Sequence, residues 1–306
     1  MKLVVLLVVL ALRRLDVAWP QTFSRRERFL DALAPWRQRI EKAGLPAALE
    51  WALMVLVPVA VVALVMYLLH GFLWGLPGFI AGGLLLLWLL GTESEFRQQE
   101  SLLERGRMND PAAFAETAER YFGVTGDPEA VELEGPGYFT RLYRRILCQD
   151  ARQLFATIFW LVVLGYWAAL LYVLNLALAR EEQAIPTLDD AEDLDAVVSP
   201  RPAPQTPAQL VHTALFWLPS RLLVLCLALA GSFGRVADAI AGRVWKLDDG
   251  EALLEAALEG ALERPDSTPG DRLQAGVDRL EELQGVLLRC LAIWLILAAL
   301  WIVITG

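Results

Sequence analysis

The sequence predicts an all-α, polytopic helical membrane protein with five to six membrane segments and cytoplasmic amphipathic helices. Two observations predict it. First, 56% of the 306 residues are hydrophobic and the mean hydropathy is +0.45, more apolar surface than a soluble chain of this length buries. Second, the apolar residues gather in runs separated by charged stretches. The chain therefore reads as one membrane domain over 1–306, not as two soluble domains.

The first run, Leu3 to Leu12, would be about 15 Å long as a helix, too short to cross a bilayer alone. A signal-peptide core is the competing reading, but the basic pair Arg13 and Arg14 follows the run and no small-residue cleavage site is evident. The segment is expected to be retained. Trp51 to Leu69 is long enough to span, while Leu76 to Leu90 is short and borrows length from Gly71 to Gly75.

A cytoplasmic helical hairpin is expected as an insert over 92–153. Phe114, Ala118, Tyr121 and Phe122 recur at helical spacing after Asn109-Asp110-Pro111, which suits Asp110 as N-cap and Pro111 as the first helical residue. The Gly and Pro residues of Gly123 to Gly137 break the hairpin. Leu154 to Leu178 is expected to cross as one continuous helix. An acidic, Pro-rich loop follows at 180–209, with five acids between Ile185 and Gln209 and no apolar period there. Leu210 to Phe233 is a weaker sixth run.

The segment 234–285 returns to cytoplasmic helices. Leu253, Leu254, Ala257, Leu258, Ala261 and Leu262 oppose Glu251, Glu255, Glu259 and Glu263 across one amphipathic helix that ends at Pro265. Another helix begins near Asp271 and continues into the last run, Val286 to Ile304.

Orientation follows from basic residues. Arg13 to Lys42 holds eight Lys or Arg, Arg97 to Arg152 eight and Arg235 to Arg289 seven, together 23 of 27. The positive-inside rule places these three segments in the cytoplasm and both termini outside, provided Leu210 to Phe233 crosses. The net charge of −9 comes without any dense basic block, so nucleic acid is not an expected partner. The lipid bilayer is. Cys148, Cys226 and Cys290 are odd in number and far apart, and read as small apolar fillers.

The sequence holds no metal-ligand cluster, phosphate-cradling loop or nucleophile motif, and names no cofactor. His70 and His212 stand alone and read as packing residues. Arg221 is the most informative residue, because it lies in the middle of an apolar run. A mid-membrane arginine costs at least about 2.5 kcal/mol on insertion scales, so it needs a carboxylate, a ligand anion or water. The bland alternative is that Pro219 starts a helix at the interface and Arg221 snorkels. Arg141, Arg144, Arg145, Asp150 and Arg152 form a second group before Phe159-Trp160. It is either a stop-transfer flank with an aromatic belt, or a grip on an anionic headgroup, phosphate or carboxylate.

Tyr138-Phe139-Thr140-Arg141-Leu142, followed by Asp150-Ala151-Arg152-Gln153-Leu154-Phe155-Ala156-Thr157-Ile158-Phe159-Trp160, resembles the AmpE family. There a Tyr-Leu-Arg segment precedes Asn-x-Arg, and Leu-Ala-Pro-Leu-Phe-Trp opens a membrane helix. Trp217-Leu218-Pro219-Ser220-Arg221-Leu222 is similar to the family's aromatic-aliphatic-Pro-x-Arg-Leu motif. The wider resemblance extends to the cobalamin-pathway CobD/CbiB membrane synthases.

This chain departs from the family pattern at Asp150 for Asn, Thr157 for Pro and Ala168-Ala169 for a helix-breaking Gly-Pro; Arg13 stands where an acid is usual. The resemblance implies a non-catalytic regulatory protein of the bacterial inner membrane, linked to peptidoglycan recycling and β-lactamase induction. Its ligand site would draw on Arg152, Arg221, Asp150, Arg141 and Tyr138, with an anionic small molecule or a protein of cell-wall recycling as partner. The alternative is a membrane ligase of the adenosylcobinamide-phosphate synthase type acting on a carboxylate or phosphate. That reaction would need acids converging beside Arg152 and Arg221, with Asp150, Glu93, Glu95 and Asp238 as candidates. Transport is disfavoured because the spans are nearly all aliphatic.

Overall fold

In a computed structural model of the protein, the residues described are 2–14, 34–40, 42, 44–70, 76–91, 95–130, 137–184, 206–244, 250–262 and 272–305. Among them there is no strand. The helices are α1 (Lys2–Arg14), α2 (Ala47–His70), α3 (Leu76–Leu90), α4 (Glu95–Arg107), α5 (Pro111–Phe122), α6 (Tyr138–Asp150), α7 (Ala156–Val163), α8 (Tyr166–Ala184), α9 (Pro207–Ala230), α10 (Phe233–Ala239), α11 (Gly250–Ala261) and α12 (Arg272–Thr305). A π-helical turn, Ala151–Phe155, joins α6 to α7. Among the described residues, four helical units are long and apolar enough to cross a membrane: Ala47–Leu69, Tyr138–Val163, Pro207–Ala230 and Arg272–Ile304. Taking α3 and α4 as one bent span makes a fifth.

Several local expectations hold for the physical reasons that motivated them. Asp110 caps α5 by accepting from Ala113 N at 3.0 Å, Pro111 opens the helix, and Gly123 closes it in the left-handed region at φ 66°. On α11, Leu253, Leu254, Ala257, Leu258, Ala261 and the following Leu262 are all buried, the apolar face that the amphipathic spacing marks. α12 is one helix of 34 residues, about 51 Å long. It therefore outreaches a hydrocarbon core of about 30 Å and carries its charged first turns beyond it.

The fourth apolar run behaves differently from its expectation. The helix that enters it starts far upstream at Tyr138 and stops at Val163. Leu164 N and Gly165 N both donate to Trp160 O at 3.1 Å, and Gly165 takes φ +101°, a conformation that a residue with a Cβ rarely adopts. A second helix, α8, then begins at Tyr166 and passes unbroken through Ala168-Ala169. The alanines do continue the helix, as their propensity dictates; the break lies three residues earlier, at a glycine. The Pro-rich stretch 185–205 lies outside the described residues, as do Gly71 to Gly75.

Lipid-facing and enclosed helices separate cleanly. α2 exposes Val61, Leu64 and Leu68, and the end of α12 exposes Ile296, Val303 and Ile304, the surface that lipid chains cover. By contrast, the unit Tyr138–Val163 is mostly enclosed and touches α12, α11 and α9. Asn175 fastens the apolar side of the bundle. It is fully buried, accepts from Trp51 Nε1 at 2.8 Å and donates to Ala208 O at 3.0 Å, so it ties α8 to α2 and α9. Asn175→Leu keeps the branched outline but leaves an indole N–H and a carbonyl short of partners, a loss of about 1–3 kcal/mol. Reversible unfolding in mixed micelles should show it, and Trp51→Phe should cost less in the Asn175→Leu background than alone.

Candidate functional site

The site is built around the π turn. Ala156 N bonds Ala151 O, the i to i−5 pattern that inserts an extra residue into a helix. Asp150 and Arg152 stand two residues apart on either side of its start, so they point to nearly opposite faces. Each face meets its own polar partners.

On the first face, Asp150 is fully buried and its Oδ2 accepts from Gln99 Nε2 at 2.8 Å. One turn back along α4, buried Glu95 is ion-paired with buried Arg13 of α1 at 2.9 Å. The Arg13 guanidinium also donates to Leu90 O at 3.0 Å and Gly91 O at 2.9 Å, the carbonyls that end α3. Arg13, Glu95, Gln99 and Asp150 thus form one polar cluster that joins α1, α3, α4 and α6 inside an otherwise apolar core.

On the second face, Arg152 is ion-paired with Glu251 in the first turn of α11. Gly250, the residue before it, lies so close to Ser220 of α9 that an added Cβ would stand 2.7 Å from Ser220 Oγ. That hydroxyl donates to Trp217 O at 2.8 Å and accepts from Arg221 Nη1 at 2.9 Å. Arg221 further donates to Val244 O and Trp217 O at 3.3 Å and lies 4.9 Å from the centre of the Trp217 ring, a cation–π contact. The two arginine motifs therefore reach the same turn of α11, one through Glu251 and the other through Ser220.

Pro219 lies inside α9, which corrects the expectation that it starts a helix. Proline has no N–H to give the carbonyl four residues back. That carbonyl, Leu215 O, accepts from Trp160 Nε1 of α7 at 3.2 Å instead. The carbonyl that Pro219 frees thus becomes a cross-link between the two motif-bearing helices.

Tyr138 and Arg141 do not join this site. They stand towards the other end of α6, about 18 and 14 Å along the helix from Asp150. Tyr138 is buried, with Phe114 and Phe139 ring centres at 6.4 and 5.4 Å, and Arg141 donates to Thr125 O at the surface. Of the acids weighed for a ligase, Asp150 and Glu95 fall in the first cluster, Asp238 is exposed on α10, and Glu93 lies outside the described residues. Gln99 and Glu251 carried no sequence signal of their own. Arg13 did: an arginine closing an apolar run invites the question asked of Arg221, namely where its counter-charge sits.

A family model, described as regulatory signalling modulator protein AmpE, matches residues 1–250. The chain belongs to the AmpE family. The match takes in every residue of the first cluster, the π turn and the Pro219–Arg221 segment. No curated protein and no solved structure matches the chain.

Proposed function

We propose that this AmpE-family protein is a non-catalytic sensor of the bacterial inner membrane, linked to peptidoglycan recycling and β-lactamase induction. An anionic small molecule, or a carboxylate of a protein partner, competes with Glu251 for Arg152 and so loosens α11 from the membrane helices. The observation that carries this reading is the Arg152–Glu251 pair itself. It connects the π turn of an enclosed helix to an amphipathic helix, and its side chains keep 15% and 31% of their exposure, enough for a competing anion to reach.

A phosphate or carboxylate can take two of the N–H groups of a guanidinium fork at once. Arg221, held one residue from the Ser220 that abuts α11, places a second cation beside the same turn. Both arginines are already desolvated in part, which strengthens any charge they meet.

The test is β-lactamase induction in a host whose own AmpE protein has been replaced by this chain. Arg152→Ala and Glu251→Gln each break the pair and release α11 without a ligand, so both should raise the uninduced level, Arg152→Ala with no further inducible rise; Arg221→Ala, which keeps the pair but removes the second cation, should abolish the inducible rise. Normal induction by inserted Arg152→Ala and Arg221→Ala proteins would refute the proposal.

A further inference from the structure

The pairing of Gln99 with Asp150 leaves two atoms over. Gln99 Nε2 and Asp150 Oδ2 are bonded to each other, but Gln99 Oε1 and Asp150 Oδ1 are buried with no hydrogen-bond partner among the described residues. If Asp150 is ionised, both of these atoms are acceptors and nothing donates to either. Buried polar atoms without partners are rare and costly. Two on adjacent, bonded side chains need a common cause.

The charges point the same way. The charged groups that act on Asp150 are Glu95 of α4 and Arg13 of α1. Arg13 already serves Glu95 and two backbone carbonyls. One cation against two carboxylates leaves the cluster one negative charge in excess, and an uncompensated charge in an apolar core is strongly disfavoured.

One added proton answers both observations. A carboxylic acid and a primary amide can pair reciprocally, with the amide N–H donating to one carboxyl oxygen and the carboxyl O–H donating to the amide oxygen. The first bond is present, and the second joins the two atoms left over. We propose that Asp150 and Gln99 form a proton-binding site, in which the carboxyl holds a proton on Oδ1 and donates it to Gln99 Oε1. The proton is taken from solvent water, forms one O–H bond and returns to solvent on release; no other bond changes. While it is held, α4 is locked to α6 directly ahead of the π turn. Once it leaves, two acceptors face one another and that lock opens.

Infrared spectroscopy of the purified protein in lipid nanodiscs tests this at neutral pH. The carbonyl stretch of a protonated carboxyl should be present in the wild type and absent from Asp150→Asn. Its absence from the wild type, or its persistence in Asp150→Asn, overturns the proposal. Should Asp150→Asn fail to fold, Gln99→Met provides the second arm: the stretch should move to higher frequency as the acid loses its acceptor, and an unmoved band overturns the proposal. Raising the pH should speed amide exchange of residues 95–107 beyond the intrinsic base-catalysed change in the wild type. Asp150→Asn, whose amide keeps both bonds, should follow the intrinsic change alone; equal behaviour of the two proteins overturns the lock.

Discussion

Arg13→Leu is expected to destabilise the bundle by about 3–5 kcal/mol, the usual cost of removing one partner from a buried ion pair. Both side chains of the Arg13–Glu95 pair are almost fully enclosed, at 2% and 4% exposure, so neither solvent nor salt can take over the lost partner's role. The same substitution strips two donors from the carbonyls of Leu90 and Gly91. Arg13→Lys should fall between wild type and Arg13→Leu, because an ammonium keeps the charge but cannot spread three acceptors around a planar fork. The decisive variant is the double replacement Arg13→Met with Glu95→Met. Removing both charges together avoids the stranded carboxylate and should recover much of the loss, as buried pairs replaced by apolar groups often do. A double variant as unstable as the sum of the two single variants would show that the charges do not depend on one another.

That pair also shows where a sequence stops being readable. Hydropathy is a property of neighbours along the chain, and the spans, the Asp110 cap, the amphipathic face of α11 and the long α12 are all local, so they could be read directly. Arg13 meets Glu95 across 82 residues and Gln99 meets Asp150 across 51; no periodicity encodes either meeting. Pro219 is an intermediate case. Its lack of an N–H predicts a freed carbonyl, but not that Trp160, 55 residues away, supplies the donor. The π turn has no residue signature at all. Gly165 is legible in principle, since a glycine in an apolar run can end a helix, but the helix-favouring alanines that follow mask it. For the site, Arg152, Asp150 and Arg221 were legible because charge in an apolar run is conspicuous. Glu251 was not, because glutamates on the polar face of a helix usually face water.

Gly260→Val should have the other large effect, and it tests whether α11 is held by backbone contact as well as by charge. A glycine within a helix normally gains about 1 kcal/mol on replacement by alanine. At Gly285 of α12, where an added Cβ meets nothing within 4 Å, alanine should deliver that gain. At Gly260 the added Cβ would stand 2.7 Å from Arg235 O and 2.8 Å from the Val236 Cα. These are backbone atoms of α10 that no rotamer change can move. Gly260→Ala should therefore destabilise in spite of its helix propensity, and the two extra methyls of valine should bring the loss to about 3 kcal/mol, the upper end of ordinary overpacking. The strain falls on the seam between α10 and α11, so it should also ease α11 away from α9, where Gly231 approaches Ala261 O in the same manner. The coupling energy between Arg152 and Glu251, measured by a double-mutant cycle in the Gly260→Val background, should then shrink towards zero. An undiminished coupling in a protein destabilised by Gly260→Val would mean that the first turn of α11 is anchored independently of its last.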